Sequence, residues 1–187
     1  MLSVTSNKVQ LIDIICPQIP AKIQESQLCS GTSHRVFIVG PEPTVIEVKM
    51  GVVVDRQDIC ITHEEADTMI PNIAVSIFQK GMSSVHVVVE DTDVFVLLTH
   101  FYYLLNIKGS LMMIPFSSST TVTDIGGTVL KHSSIMPHLL SLHALTGCDM
   151  VPSYKNIGKP KALKVLKDGV TPPALGEGSP DYEQATM

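Results

Sequence analysis

Residues 84–93 read SVHVVVEDTD, and this stretch decides the fold. Its first six residues are β-branched or apolar apart from Ser84 and His86. A run of that length and composition predicts a strand covered on both faces, as in a parallel sheet. The acids Glu90, Asp91 and Asp93 follow at once, at the strand's carboxyl end, where open α/β sheets bind ligands. Two bare carboxylates side by side repel, so an Asp-x-Asp at that edge is costly unless a cation lies between them.

Upstream, Thr62-His63-Glu64-Glu65 forms a capping box that predicts a helix to about Lys80, stopped by Gly81. Pro71 falls inside it and is expected to kink it, because its ring opposes the carbonyl of Asp67 four residues back. Glu65 and Asp67 do not share a helical face, whereas Glu64 and Asp67 do. Downstream, a second helix is predicted from Asp93 to Leu105, then a short strand from Leu111, a Ser/Thr-rich loop over 117–123, and a helix from His138 that closes at Gly147. A short basic helix follows from Pro160 to Lys167, and a Gly/Pro-rich tail after it is expected to fray. Helix, strand, helix, strand, helix is a βαβ-type order, so the class is α/β with a mainly parallel sheet.

The first 61 residues are harder to read. A capped helix over 7–15 is favoured over a first strand bearing Asp13, and residues 35–39 and 44–54 read as two strands. Residues 1–61 are therefore set apart from a core over 62–167 and a tail over 168–187.

The chain has 187 residues, of which 44% are apolar and 17% charged, which excludes a disordered chain and a coiled coil. No apolar run reaches the roughly 18 residues of a membrane helix, and the N-terminus is a poor signal peptide. The expectation is an intracellular protein of nucleus or cytoplasm without a membrane partner. Thirteen basic against 18 acidic residues give a net charge of −5, which argues against a simple nucleic-acid-binding module but not against a carboxylate-rich enzyme that binds divalent metal. Cys16, Cys29, Cys60 and Cys148 lack zinc or disulfide spacing and read as reduced thiols, and the seven histidines read as structural.

Three acidic groups lie at element ends: Glu64, Glu65 and Asp67; Asp91 and Asp93; and Asp149 after Gly147-Cys148. Each alone has an ordinary structural reading, as a helix-dipole partner or a turn residue. Together, as oxygen-only ligands on one sheet rim, they suit Mg²⁺ or Mn²⁺.

The ordered set Glu65-Ala66-Asp67, Glu90-Asp91-Thr92-Asp93, Gly147-Cys148-Asp149 and YKNIGKPKALKVL (154–166) resembles the second half of the flap-endonuclease nuclease domain, a branch of the PIN-like fold. More closely, THEEADTMI, EDTDVFVLLTHFYYLL and SLHALTGCDMVPSYKNIGK resemble uncharacterised animal proteins of mobile-element character that share that core. The resemblance implies a three-layer PIN-like fold lacking part of its N-terminal half. It also implies a two-metal phosphodiesterase, with Asp91, Asp93 and Asp149 catalytic and with Glu65 or Glu64, Asp67, Asp91, Asp93 and Asp149 holding two Mg²⁺ or Mn²⁺ ions. Lys155, Gly158, Lys159, Lys161 and Lys164 would meet nucleic-acid phosphates, DNA ahead of RNA, with K⁺ bound in a helix–two-turn–helix segment over 154–167. The alternatives are a degenerate module of the same fold that binds nucleic acid or protein, and a haloacid-dehalogenase-like phosphatase in which Asp91 is the nucleophile and Asp93 the acid.

Overall fold

A computed structural model of the chain describes residues 5–26, 34–39, 44–60, 66–117, 121–148, 152 and 157–170. The capping box at 62–65, Asp149, Lys155 and the tail after 170 lie outside the described residues. The architecture is mixed α/β, with helices and two small sheets, in two compact units over 1–69 and 70–187.

The first unit carries helices α1 (Thr5–Ile15) and α2 (Gln18–Glu25) and strands β1 (Arg35–Ile38), β2 (Thr44–Lys49) and β3 (Val52–Cys60). Asp13 sits in α1, on a helix rather than a strand. The strands form an antiparallel sheet in the order β1-β2-β3. Residues 44–54, expected as one strand, are instead divided between β2 and β3. Met50 and Gly51 both take positive φ, at 51° and 73°, and so make a two-residue turn that pairs Lys49 with Val52. Such a turn matches the twist of the strands it joins. Ile46 and Val48 of β2, with Val36 and Ile38 of β1, pack on Ile19 and Ile23 of α2.

Helix α3 (Ala66–Gln79) spans the boundary between the units. It runs on through Pro71, whose side chain is fully buried. Gly81, at φ 90°, ends it: its N–H donates to the Phe78 carbonyl, and that of Met82 to the Ile77 carbonyl.

The rest of the second unit follows as β4 (Ser84–Val88), α4 (Thr92–Leu104), β5 (Ser110–Ile114), β6 (Thr123–Asp124), α5 (Ile125–Lys131), a 3₁₀-helix (Ser133–His138), α6 (Leu139–Thr146) and α7 (Lys159–Lys167). Strands β4 and β5 pair in parallel through the α4 crossover, from Ser84 with Ser110 to Val88 with Ile114. Among the described residues this is the one parallel pairing, since β6 joins β5 antiparallel. The expectation of a mainly parallel sheet thus holds at β4–β5 and not elsewhere. Only that pair is joined by a helical crossover, whereas the first sheet contains a tight hairpin.

Strand β4 also departs from its expected double cover. Val85, Val87 and Val89 are buried, but Val88 is 55% exposed and His86 is exposed. A continuous β-branched run states a preference for burial on both faces, while the packing provides for one. The core of the unit gathers Val96, Val129, Ile135, Met136, Leu139, Leu142 and Leu166, joining α4, α5, α6 and α7. Helix α5 has no counterpart among the expected elements. Asp124 caps it, accepting from the Gly127 N–H at 3.0 Å, and a Cβ on Gly126 would come within 2.7 Å of the Tyr102 hydroxyl.

Candidate metal centre

The site grows from the end of β4. Val89 continues the ladder by donating to the Ile114 carbonyl at 2.9 Å. Glu90 then accepts from the Ser117 N–H at 2.8 Å, tying the loop after β4 to the loop after β5. Asp91 adopts an extended conformation and caps α4, its Oδ1 accepting from the Asp93 N–H at 2.7 Å. A capping aspartate satisfies one of the donors a helix leaves open at its start and complements the dipole there. Asp93 stands in the first turn of α4.

Helix α4 packs on α6, whose last turn carries His143. The His143 Nε2 lies 2.9 Å from Asp93 Oδ1, with side chains 11% and 21% exposed. Gly147 ends α6 at φ 91°, and Cys148 follows as a free, partly buried thiol. One ligand atom from each of Asp93, His143 and Cys148 lies within 4.8 Å of the other two. Asp67, the remaining expected aspartate among the described residues, lies in the first turn of α3.

Of the expected metal ligands, Asp91 and Asp93 stand together at the start of α4 as acidic residues that could hold a metal ion. Glu64, Glu65 and Asp149 lie outside the described residues. The residue chemistry fits a hard divalent cation. Each carboxylate offers two oxygens, so the cap at Asp91 and the histidine at Asp93 leave lone pairs available. His143 and Cys148 were missed. They stand 50 and 55 positions from Asp93, and no local spacing marks either of them.

Of the expected phosphate-binding residues, Gly158 is the N-cap residue of α7, with Pro160 in its first turn. Lys161, Lys164 and Lys167 recur every three residues and are exposed, while Leu166 on the other side is buried against the core with Ala162 and Leu163 beside it. Lys159 is partly buried, and Lys155 lies outside the described residues. Among the neighbouring aromatics, Tyr102 packs on the core and donates its hydroxyl to the Gly109 carbonyl at 2.9 Å, and burial raises its pKa. Among the described residues no helix is long and apolar enough to cross a membrane.

No protein-family model, curated protein or solved structure matches the chain.

Proposed function

We propose that the chain carries a PIN-like, flap-endonuclease-related module of metal-dependent phosphodiesterase type, acting on nucleic acid and on DNA ahead of RNA. The observation that carries this reading is the pair Asp91 and Asp93 at the start of α4, directly after β4. Two carboxylates so close together repel each other, and a divalent cation between them relieves that repulsion. Bound there, Mg²⁺ or Mn²⁺ supplies a polarised phosphodiester and an acidified water. The part of the chain is to hold and orient: Asp91 is fixed as the cap of α4, and Asp93 is steadied by His143. The exposed lysines of α7 supply positive charge for a phosphate backbone.

A second reading has its own support. Asp91 and Asp93 both have structural tasks, as a helix cap and as a histidine partner. A degenerate module that keeps the fold for nucleic-acid or protein binding would retain both residues for those tasks alone.

Mn²⁺ titration by calorimetry separates the two. The catalytic reading expects millimolar or tighter binding that the Asp91→Asn/Asp93→Asn double variant loses, followed by metal-dependent cleavage of flap, bubble or hairpin DNA. An unaltered chain that shows no such binding leaves the degenerate module in its place.

A further inference from the structure

We propose that Asp93, His143 and Cys148 form a second metal site, one that takes a thiophilic divalent ion of the zinc class. The site goes beyond the phosphodiesterase reading and does not depend on it, although Asp93 belongs to both groups.

Three observations support it. The first is convergence, since oxygen, nitrogen and sulfur atoms of three side chains lie within 4.8 Å of one another. Tetrahedral zinc, with ligands at about 2.0–2.3 Å, sets neighbouring ligand atoms roughly 3.3–3.7 Å apart, so adjustments of at most about 1.5 Å would close the set. The second is how the ligands are held. Asp93 is anchored in the first turn of α4, and His143 in the last turn of α6, with its Nε2 already 2.9 Å from the carboxylate. Gly147, at φ 91°, bends the chain out of α6 in a conformation other residues rarely adopt, and this brings Cys148 back toward His143. The third is chemistry and access. Cys148 is a free thiol, and all three side chains are partly buried rather than sealed, so an ion from solution can reach them. Imidazole and thiolate favour zinc or cobalt over magnesium, whereas Asp67 and Asp91 offer oxygen alone. Three protein ligands also leave a fourth position to water. On binding, the thiol proton passes to buffer and the sulfur coordinates as thiolate.

Cobalt replaces zinc with a visible signature, so the test is Co²⁺ titration of the reduced 187-residue chain. The expected result is a thiolate-to-cobalt charge-transfer band that saturates at one equivalent and is erased by Zn²⁺. Cys148→Ser should abolish the band, and His143→Gln should weaken cobalt binding at least tenfold with the far-ultraviolet circular dichroism unchanged. Asp91→Asn leaves all three ligands in place and should keep the band, even where it loses Mn²⁺ binding. Failure of the oxygen-only site is thereby distinguished from failure of this one. In the unsubstituted chain, Zn²⁺ should also slow alkylation of Cys148 at least tenfold, mapped by mass spectrometry, without protecting Cys16. Absence of the charge-transfer band in the unaltered chain, its persistence in Cys148→Ser, or alkylation of Cys148 at an unchanged rate would overturn the proposal.

Discussion

His143 Nε2 stands 2.9 Å from Asp93 Oδ1, linking the last turn of α6 to the first turn of α4 across 50 positions of sequence. Both side chains are mostly shielded from water, at 11% and 21% exposure, so the contact is screened less than a surface pair. Hydrogen bonds to charged groups contribute about 1.5–3 kcal/mol, and the residual exposure lowers that range here. A double-mutant cycle with Asp93→Asn and His143→Ala, read by urea denaturation without metal, should give a coupling energy of about 1 kcal/mol. Additive single effects would mean that the two side chains are neighbours without an energetic link.

Asp91 has two separable roles, and substitution can split them. Asparagine caps a helix about as well as aspartate, whereas alanine costs roughly 0.5–2 kcal/mol. Asp91→Asn should therefore keep the stability of the metal-free chain to within about 0.5 kcal/mol, and Asp91→Ala should lose about 1 kcal/mol. Both variants should lose the rise in melting temperature that Mn²⁺ confers through preferential binding to the folded state. A metal-induced rise retained by Asp91→Asn would remove Asp91 from the ligand set.

What the sequence disclosed was local. The β-branched run of β4, the acids behind it, the stop at Gly147 and the basic helix α7 each follow from neighbours within a few residues. The hairpin at Met50-Gly51 escaped because a methionine at positive φ is not a turn signal, and the valines after it extend the apolar run without a break. Helix α5 escaped for the opposite reason. Its two glycines argue against a helix, yet one of them allows the close approach of Tyr102. Val88 shows the remaining gap, since β-branching expresses a preference for burial while the cover must come from elsewhere in the fold. The His143–Asp93–Cys148 group lies at the far end of the same scale. Only the packing of α4 on α6 creates it.

His100, in α4, has a buried Nδ1 with no hydrogen-bond partner among the described residues. Burial lowers its pKa from the ordinary value of 6.5. Between the lowered folded value and 6.5 the unfolded chain binds the extra proton more readily, so stability rises with pH through that window. Acidification from neutrality should thus begin to destabilise the fold as pH falls through 6.5, with the loss complete below the folded value. His100→Leu removes this contribution, and its urea midpoint should fall less between pH 7.5 and 5.5 than that of the unaltered chain. Equal falls would assign the acid sensitivity to other groups.

In the first unit, Glu47 of β2 is only 5% exposed, and Arg56 of β3 reaches it with a direct ion pair while Arg35 stands 3.5 Å away. Arg56 also binds Asp58, and those two carboxylates, Asp58 first, hold its pKa well above the ordinary range. Its guanidinium lies 6.0 Å from the centre of the Phe37 ring. Removing one partner of a fully buried pair costs about 3–5 kcal/mol because the other charge is left uncompensated. Arg56 is 19% exposed and Arg35 remains nearby, so Arg56→Met should cost less, about 2 kcal/mol. Replacing both charges with apolar groups removes the stranded carboxylate as well as the attraction. The Arg56→Met/Glu47→Leu double variant should accordingly recover most of the loss. Hydrogen exchange at the amides of β2 and β3 reads this unit directly, and protection there should fall in the single variant and return in the double. A double variant no better protected than the single would mean that the pair secures the β2–β3 register, a role that two apolar side chains do not replace.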